Sequence, residues 1–272
     1  DYKGLIIGII LFIIAFGFVC LFNHLTDPND KRPKAMKKRN MFRFFHTIMC
    51  RFPLPLIYIY KMKKMIKDDT LSFEEKYRYC VKVMKHINKL GNIYVQKFGE
   101  ENLTHEGTLY ISNHQGRYDG IGIFTTMEEY PMSLLAIKSR INFPMYREMF
   151  TMLNGVVVDP DNMRNQVKLM KQMGDRLANG ESFLVFIEGI YGDNENTLQE
   201  FKTGVLHPAY QSKCPITPIV LYDSYKVFSI SSLKKIYPEV HYLKQITYDE
   251  YKDLSKKELA DLIKTRMQEK ID

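Results

Sequence analysis

The order of apolar and polar positions divides the chain into three stretches. From Gly4 to Phe22, nineteen residues carry no charge and are rich in Ile, Phe and Leu. As a helix they would run about 28 Å, close to the ~30 Å hydrocarbon core of a bilayer. The apolar core of a signal peptide is usually shorter and no small-x-small cleavage pattern follows, while a buried soluble helix normally carries a polar face. The pattern predicts a transmembrane anchor over residues 1–24. A second stretch, 25–100, reads as a basic linker and a membrane-proximal helical region. Within it, Met41 to Lys67 mixes Phe42, Phe44, Phe45 and Phe52 with Lys61, Lys63, Lys64 and Lys67, and Pro53 and Pro55 break any continuous span. Such a mixture fits either a segment lying in the membrane interface or a pair of core-packing helices. Ser72-x-x-Glu75 is a capping box, and Phe73, Tyr77, Cys80, Met84, Ile87, Tyr94 and Phe98 continue a helical stripe as far as Gly99.

In the third stretch, 101–272, the period changes. Short β-like runs occur at 108–112, 133–137, 155–158, 182–187, 216–221 and about 238–243. A helix capped by Asp161, with Met163, Val167, Met170 and Leu177 on one face, fills one interval and stops at Gly180. Ser255-x-x-Glu258 opens a last helix carrying Leu259, Leu262, Ile263 and Met267. Strands alternating with helices predict an α/β domain with a mixed, mostly parallel sheet flanked by helices.

Charge gives the apolar anchor an orientation. Lys31, Arg32, Lys34, Lys37, Lys38 and Arg39 follow the span and only Lys3 precedes it, so the positive-inside rule places the remainder in the cytoplasm of a single-pass protein of the cell membrane. The net charge of +8 favours acidic partners. Nucleic acid is excluded, because the basic residues gather beside the apolar anchor and no nucleic-acid-binding motif is present. Cys20, Cys50, Cys80 and Cys214 are widely spaced, form no C-x-x-C and do not cluster with histidine; they form neither a metal site nor a disulfide framework, and they fit a reducing compartment.

Chemistry concentrates in Asn113-His114-Gln115-Gly116-Arg117-Tyr118-Asp119, between a strand-like run and the opening of a helix. An imidazole there can accept a proton at neutral pH, and a carboxylate on its other nitrogen fixes the tautomer and supports the imidazolium. Taken in isolation, a His and an Asp at this spacing read as a turn histidine and a helix N-cap, and only the rest of the chain can overturn that. Further residues lie at or just beyond strand ends, where open α/β sheets place their ligands. They are Lys138, Gly155–Asp161, Phe186-Ile187-Glu188-Gly189-Ile190 leading to Phe201-Lys202-Thr203-Gly204, and Pro215–Val220. No Gly-x-Ser-x-Gly elbow is present, so no covalent serine intermediate is implied.

These blocks, in this order, resemble the motif blocks of the glycerolipid acyltransferases, the lysophosphatidic acid acyltransferase family, which acylates 1-acylglycerol-3-phosphate. The resemblance covers about residues 105–225. It implies that His114 is the general base and that Asp119 holds it. It implies an acyl donor that is a thioester of acyl carrier protein or coenzyme A, with no further cofactor and no metal. Asn113, Arg117, Lys138, Glu188, Gly189, Lys202 and Gly204 fall in the matching blocks and are expected to line the substrate site. Lys138 matches a family lysine associated with the acceptor phosphate. Gly189 and the Gly116–Tyr118 turn are candidate oxyanion donors. The chain departs from the pattern at two arginines. Pro160 follows the second-block aspartate, where the family usually has arginine. The third block reads Phe186-Ile-Glu-Gly-Ile-Tyr-Gly192 in place of Phe-Pro-Glu-Gly-Thr-Arg-Ser. Because arginine's planar fork suits phosphate oxygens, Arg117, Arg140 and Arg164 are candidate substitutes. The departure leaves open a different lyso-lipid acceptor, or a non-catalytic relative that binds lipid or acyl carrier.

Overall fold

The structure is a computed structural model. It describes residues 42–48, 51, 53–138, 141–159, 161–192, 194–229 and 232–272, together with scattered positions between 2 and 15. The described positions from 2 to 15 are helical, and Ile6, Ile7, Ile10, Leu11, Phe12 and Ile14 are exposed. Much of the expected anchor and all of the basic cluster at 31–39 lie outside the described residues. Among those described, no helix is long and apolar enough to cross a membrane.

Helices α1 (Phe42–Ile48), α2 (Leu54–Ile66) and α3 (Phe73–Leu90) lead into a seven-stranded sheet. Its strands are β1 (Gln96–Phe98), β2 (Leu109–Ser112), β3 (Ser133–Ile137), β4 (Val156–Val158), β5 (Phe183–Phe186), β6 (Ile216–Tyr222) and β7 (Glu239–Tyr242). The spatial order is β1-β7-β6-β2-β5-β3-β4. All neighbouring pairs are parallel except β6 with β7. Helices α4 (Asp119–Thr126), α5 (Tyr146–Met152), α6 (Met163–Ala178), α7 (His207–Ser212), α8 (Lys226–Ser229), α9 (Tyr248–Tyr251) and α10 (Lys256–Ile271) complete the order. The mostly parallel sheet flanked by helices is as the sequence predicts.

Central strands are apolar on both faces because both are covered. Alternate side chains divide between two cores. Tyr110, Leu184, Ile219 and Leu221 pack with Tyr77, Cys80, Met84 and Ile87 of α3. Leu109, Ile111, Phe183, Val185 and Val220 pack with Met173 and Leu177 of α6 and Leu259 and Ile263 of α10. The same first core takes in Ile48 of α1 and Met62 of α2. Helices α1 and α2 therefore pack on the core through one side. The other side of α2 leaves Leu56, Ile57 and Tyr60 exposed.

Three local expectations are corrected. The stripe read to Phe98 stops at Leu90: Gly91 caps α3, Asn92 follows at φ 53°, and residues 96–98 form the edge strand β1. Tyr94 and Phe98, expected on the helix's core face, are exposed. In α6 the cap is Asn162, whose side chain accepts from the Asn165 amide, rather than Asp161. Val167 of the same helix is exposed, and Met173 occupies the core in its place. Pro218, which has no N–H for a ladder, is tolerated in β6 because the ladder to β7 is interrupted there. Pairing runs Ile219 to Tyr242 and resumes as a bridge from Ile216 to Ile246, one residue out of step.

Candidate active site

Strand β2 lies between β5 and β6, with Ser112 level with Phe186 on one side and Ile219 on the other. The three carboxyl ends thus deliver the 113–119 turn, the 187–191 turn and the 223–226 turn to one place, the crevice position of an open α/β sheet. Asn113 is wholly buried. Its Nδ2 donates to the Leu221 carbonyl at 3.1 Å and its Oδ1 accepts the Leu221 amide at 2.8 Å. The side chain therefore continues the β2–β6 ladder by one more rung. Expected to touch substrate, Asn113 instead holds the turn to β6.

His114 and Asp119 are brought together. Nδ1 lies 2.7 Å from Asp119 Oδ2, and the carboxylate is fully buried while the imidazole is 15% exposed. Asp119 Oδ2 also accepts the amides of Gln115 and Gly116, and Oδ1 accepts the Ser224 hydroxyl. A carboxylate accepts only, so Nδ1 carries the proton and Nε2 has its lone pair available. Nε2 has no partner among the described residues. The ring is held in plane by Phe186, stacked at 4.1 Å, and edge-on by Tyr191 at 4.8 Å. A histidine so oriented, with one nitrogen on a buried carboxylate and the other available, is arranged as a general base.

Glu188 braces the turn from beneath. It is 2% exposed, and Oε2 accepts the His114 amide at 3.0 Å. Gln199 donates to both of its oxygens, through its backbone amide to Oε1 at 3.0 Å and through Nε2 to Oε2 at 2.6 Å. Burial pushes the Glu188 carboxyl above the usual carboxylate range, against those hydrogen bonds and the pull of His114. Gly189 holds φ 76°, the left-handed turn that follows Glu188, and its amide donates to the Phe186 carbonyl. Gly116's amide is likewise taken by Asp119. Neither glycine offers the amide expected for an oxyanion in this state.

The remaining expected site residues are dispersed. Arg117 Nε donates to the Tyr191 hydroxyl at 3.0 Å, so this cation is held beside the ring that abuts His114. Lys138, 67% exposed, pairs with Asp159 at 3.2 Å, and that contact holds the Asp159 carboxyl below its ordinary range. Lys202 extends toward Glu200 at 3.5 Å, while its backbone amide closes the 187–202 loop on Ile187. Gly204 lies within the short 3-10 turn Thr203–Leu206, with open space where a Cβ would stand. Among the described residues no hydrogen bond or ring contact joins Lys138, Lys202 or Gly204 to His114. Arg140 and Pro160 lie outside the described residues. Sequence reading missed Gln115, Asn196, Gln199 and Ser224. These polar residues sit in irregular turns, and nothing in their local pattern marks them as partners of a residue 81 to 109 positions away. No group of histidine, cysteine or carboxylate side chains able to hold a metal occurs among the described residues.

Residues 94–222 match the family described as Acyltransferase. Curated relatives include the 1-acyl-sn-glycerol-3-phosphate acyltransferase of Saccharomyces cerevisiae, 30% identical over 141 residues, covering 50% of this chain and 46% of that protein. That of Cocos nucifera is 27% identical over 129 residues, covering 46% of this chain and 41% of that protein. That of Helicobacter pylori is 27% identical over 129 residues, covering 46% and 53%. The matched stretch thus spans about half the length of these relatives. The fold is shared with the crystal structure of the 1-acyl-sn-glycerophosphate (LPA) acyltransferase PlsC from Thermotoga maritima. The TM-score is 0.62 at 17% identity, over 82% of this chain and 95% of that one.

Proposed function

We propose, from the match of residues 94–222 to the Acyltransferase family and the likeness to 1-acyl-sn-glycerol-3-phosphate acyltransferases, that this chain moves a fatty acyl chain from a thioester to the free hydroxyl of a lyso-lipid, 1-acyl-sn-glycerol-3-phosphate in the first place. The observation that carries the proposal is the His114–Asp119 pair at the end of β2, with Nε2 left available. In the reaction, Nε2 takes the proton of the acceptor hydroxyl as its oxygen attacks the thioester carbonyl. The tetrahedral intermediate then expels the thiolate, which recovers the proton from the His114 imidazolium, and the products are an ester and a free thiol. Asp119 stabilises the imidazolium between the two steps. No cofactor takes part; the donor, an acyl carrier protein or coenzyme A thioester, is a substrate.

For the acceptor, the supporting observation is Arg117. Tyr191 stands where the third block usually has arginine, and its hydroxyl accepts from Arg117 Nε. A guanidinium from the first block is thereby held at the third block's position, beside the base. This favours a phosphate acceptor despite Pro160 in the second block. Lys138, already paired with Asp159, is the competing consideration and favours a lyso-lipid whose head group lacks a free phosphate. In this proposal residues 1–24 anchor the protein in the membrane with the α/β domain on its cytoplasmic face. The exposed Ile6, Ile7, Ile10, Leu11, Phe12 and Ile14 support that arrangement.

The test is to give purified protein a labelled thioester of each carrier with a panel of lyso-lipids. We expect label in phosphatidic acid. Label in no acceptor would sink the enzymatic reading, and label only in phosphate-free acceptors would eliminate lysophosphatidate.

A further inference from the structure

Asp119 receives its donors unevenly. Oδ2 takes His114 Nδ1 and the amides of Gln115 and Gly116, whereas Oδ1 takes a single donor among the described residues, the Ser224 hydroxyl at 2.6 Å. The carboxylate is wholly buried, so water is not at hand to replace that donor. Ser224 is itself 1% exposed. It lies 105 residues along the chain from Asp119, in the turn between β6 and α8, just past the stretch that matches the family.

The turn holds this serine in place. Asp223 adopts φ 59°, a left-handed conformation that aspartate tolerates better than most residues. Its carboxylate accepts from Asn196 Nδ2 at 3.0 Å and pairs with Lys226 at 2.5 Å. Gln115 Oε1 accepts the Ser224 amide at 3.0 Å and also lies 2.8 Å from its hydroxyl oxygen. Gln115 Nε2 in turn donates to the Leu221 carbonyl at 3.0 Å. The residue that follows His114 is thus clipped to the residue that bonds His114's partner. A hydroxyl has one proton, so Asp119 and Gln115 compete for it. The carboxylate takes it, because its bond is shorter and charge-assisted.

We propose that Ser224 is a positioning residue for the acyl transfer, acting through Asp119. Its hydroxyl sets the rotation of the carboxylate so that Oδ2 stays on His114 Nδ1 and Nε2 stays turned to the acceptor hydroxyl. The proposal rests on the acyltransferase reading for its kinetic consequence, but the hold on the His–Asp pair is measurable without turnover.

The experiment uses the full chain in detergent micelles, as wild type, Ser224→Ala, Ser224→Cys and Ser224→Thr. Proton NMR of 15N-histidine-labelled protein follows the Nδ1 proton shared with Asp119, assigned by its loss in His114→Ala. With Ser224→Ala we expect an unchanged circular-dichroism spectrum and a loss or upfield shift of that signal. We also expect a fall of ~10–100-fold in kcat with both KM values unchanged. Threonine, which keeps the hydroxyl, should restore the signal and most of kcat, and cysteine, a weak donor of similar shape, should fall between. A wild-type Nδ1 signal in folded Ser224→Ala or Ser224→Cys would overturn the proposal, as would an unchanged kcat. Unfolding of both variants would overturn it too, by making the bond a structural one. If wild type itself transfers no acyl chain, the acyltransferase reading fails while the NMR comparison still decides what Ser224 does to the pair.

Discussion

Asp119 on Nδ1, Phe186 against the ring and Glu188 on the backbone amide each fix one degree of freedom of His114. Replacing it with alanine removes the base and leaves those supports, so His114→Ala should lower kcat by ~10²–10⁴-fold with the thermal midpoint little changed. A well-folded mutant at wild-type rate would remove His114 from the role. Asp119→Asn replaces one acceptor oxygen by an amide NH2 and removes the charge that strengthens four buried hydrogen bonds and supports the His114 imidazolium. It should cost both rate and stability, read as a lowered kcat together with a lowered urea midpoint. Arg117 makes a narrower prediction. If its guanidinium meets the acceptor phosphate, Arg117→Ala should raise KM for lysophosphatidate about tenfold or more and leave KM for a phosphate-free lyso-lipid unchanged. An equal effect on both acceptors would reduce the arginine to a support for Tyr191.

Among the elements, β1 shows most clearly how local pattern and global packing diverge. Its residues continue the helical stripe of α3 in sequence, yet the turn at Gly91 and Asn92 redirects them to the sheet edge beside β7. Arg43 of α1, 1% exposed, fastens that turn by donating to the carbonyls of Gly91 and Lys234. Burial lowers the Arg43 guanidinium from its ordinary pKa. Gly99 ends the strand at φ 78°, and a Cβ there would come within 2.2 Å of the Tyr242 carbonyl oxygen. Gly99→Ala should therefore destabilise the protein by about 2 kcal/mol or more, by adding backbone strain to a clash that backbone atoms cannot relieve. Urea unfolding measures it, and a loss under about 0.5 kcal/mol would show that the β1–β7 edge adjusts freely.

At the scale of the whole molecule, two cores sit on either side of one sheet and the His114–Asp119 pair lies at its carboxyl end. Strand β7, between β1 and β6, carries a titration that couples to global stability. His241 is 7% exposed, donates to Glu239 at 2.7 Å and stacks on Phe98 at 4.6 Å, and burial lowers its pKa below the ordinary 6.5. Between 6.5 and that depressed value the unfolded chain binds the additional proton, so folding stability falls as pH drops through the window and is fully present above it. Urea midpoints taken from about pH 7.5 to about pH 5.5 should show this decline, and His241→Phe should flatten it. An identical slope in the mutant would place the titration elsewhere.

The chain order of apolar runs and caps determined the α/β class, six of the seven strands and the helices opened by Ser72 and Ser255, because these depend on side-chain period and on hydrogen bonds spanning three residues. The pairing of His114 with Asp119, five positions apart across one turn, followed from the resemblance of the motif blocks and not from spacing alone, and the two side chains do meet. Tertiary structure alone decided the rest. Only the sheet could turn Asn113 from a candidate ligand contact into a rung against Leu221, pair Lys138 with Asp159, or bring Gln199 to Glu188 and Ser224 to Asp119. Those bonds are made between turns at the ends of different strands. Their partners are set by the spatial order of β2, β5 and β6, which no local pattern of residues contains.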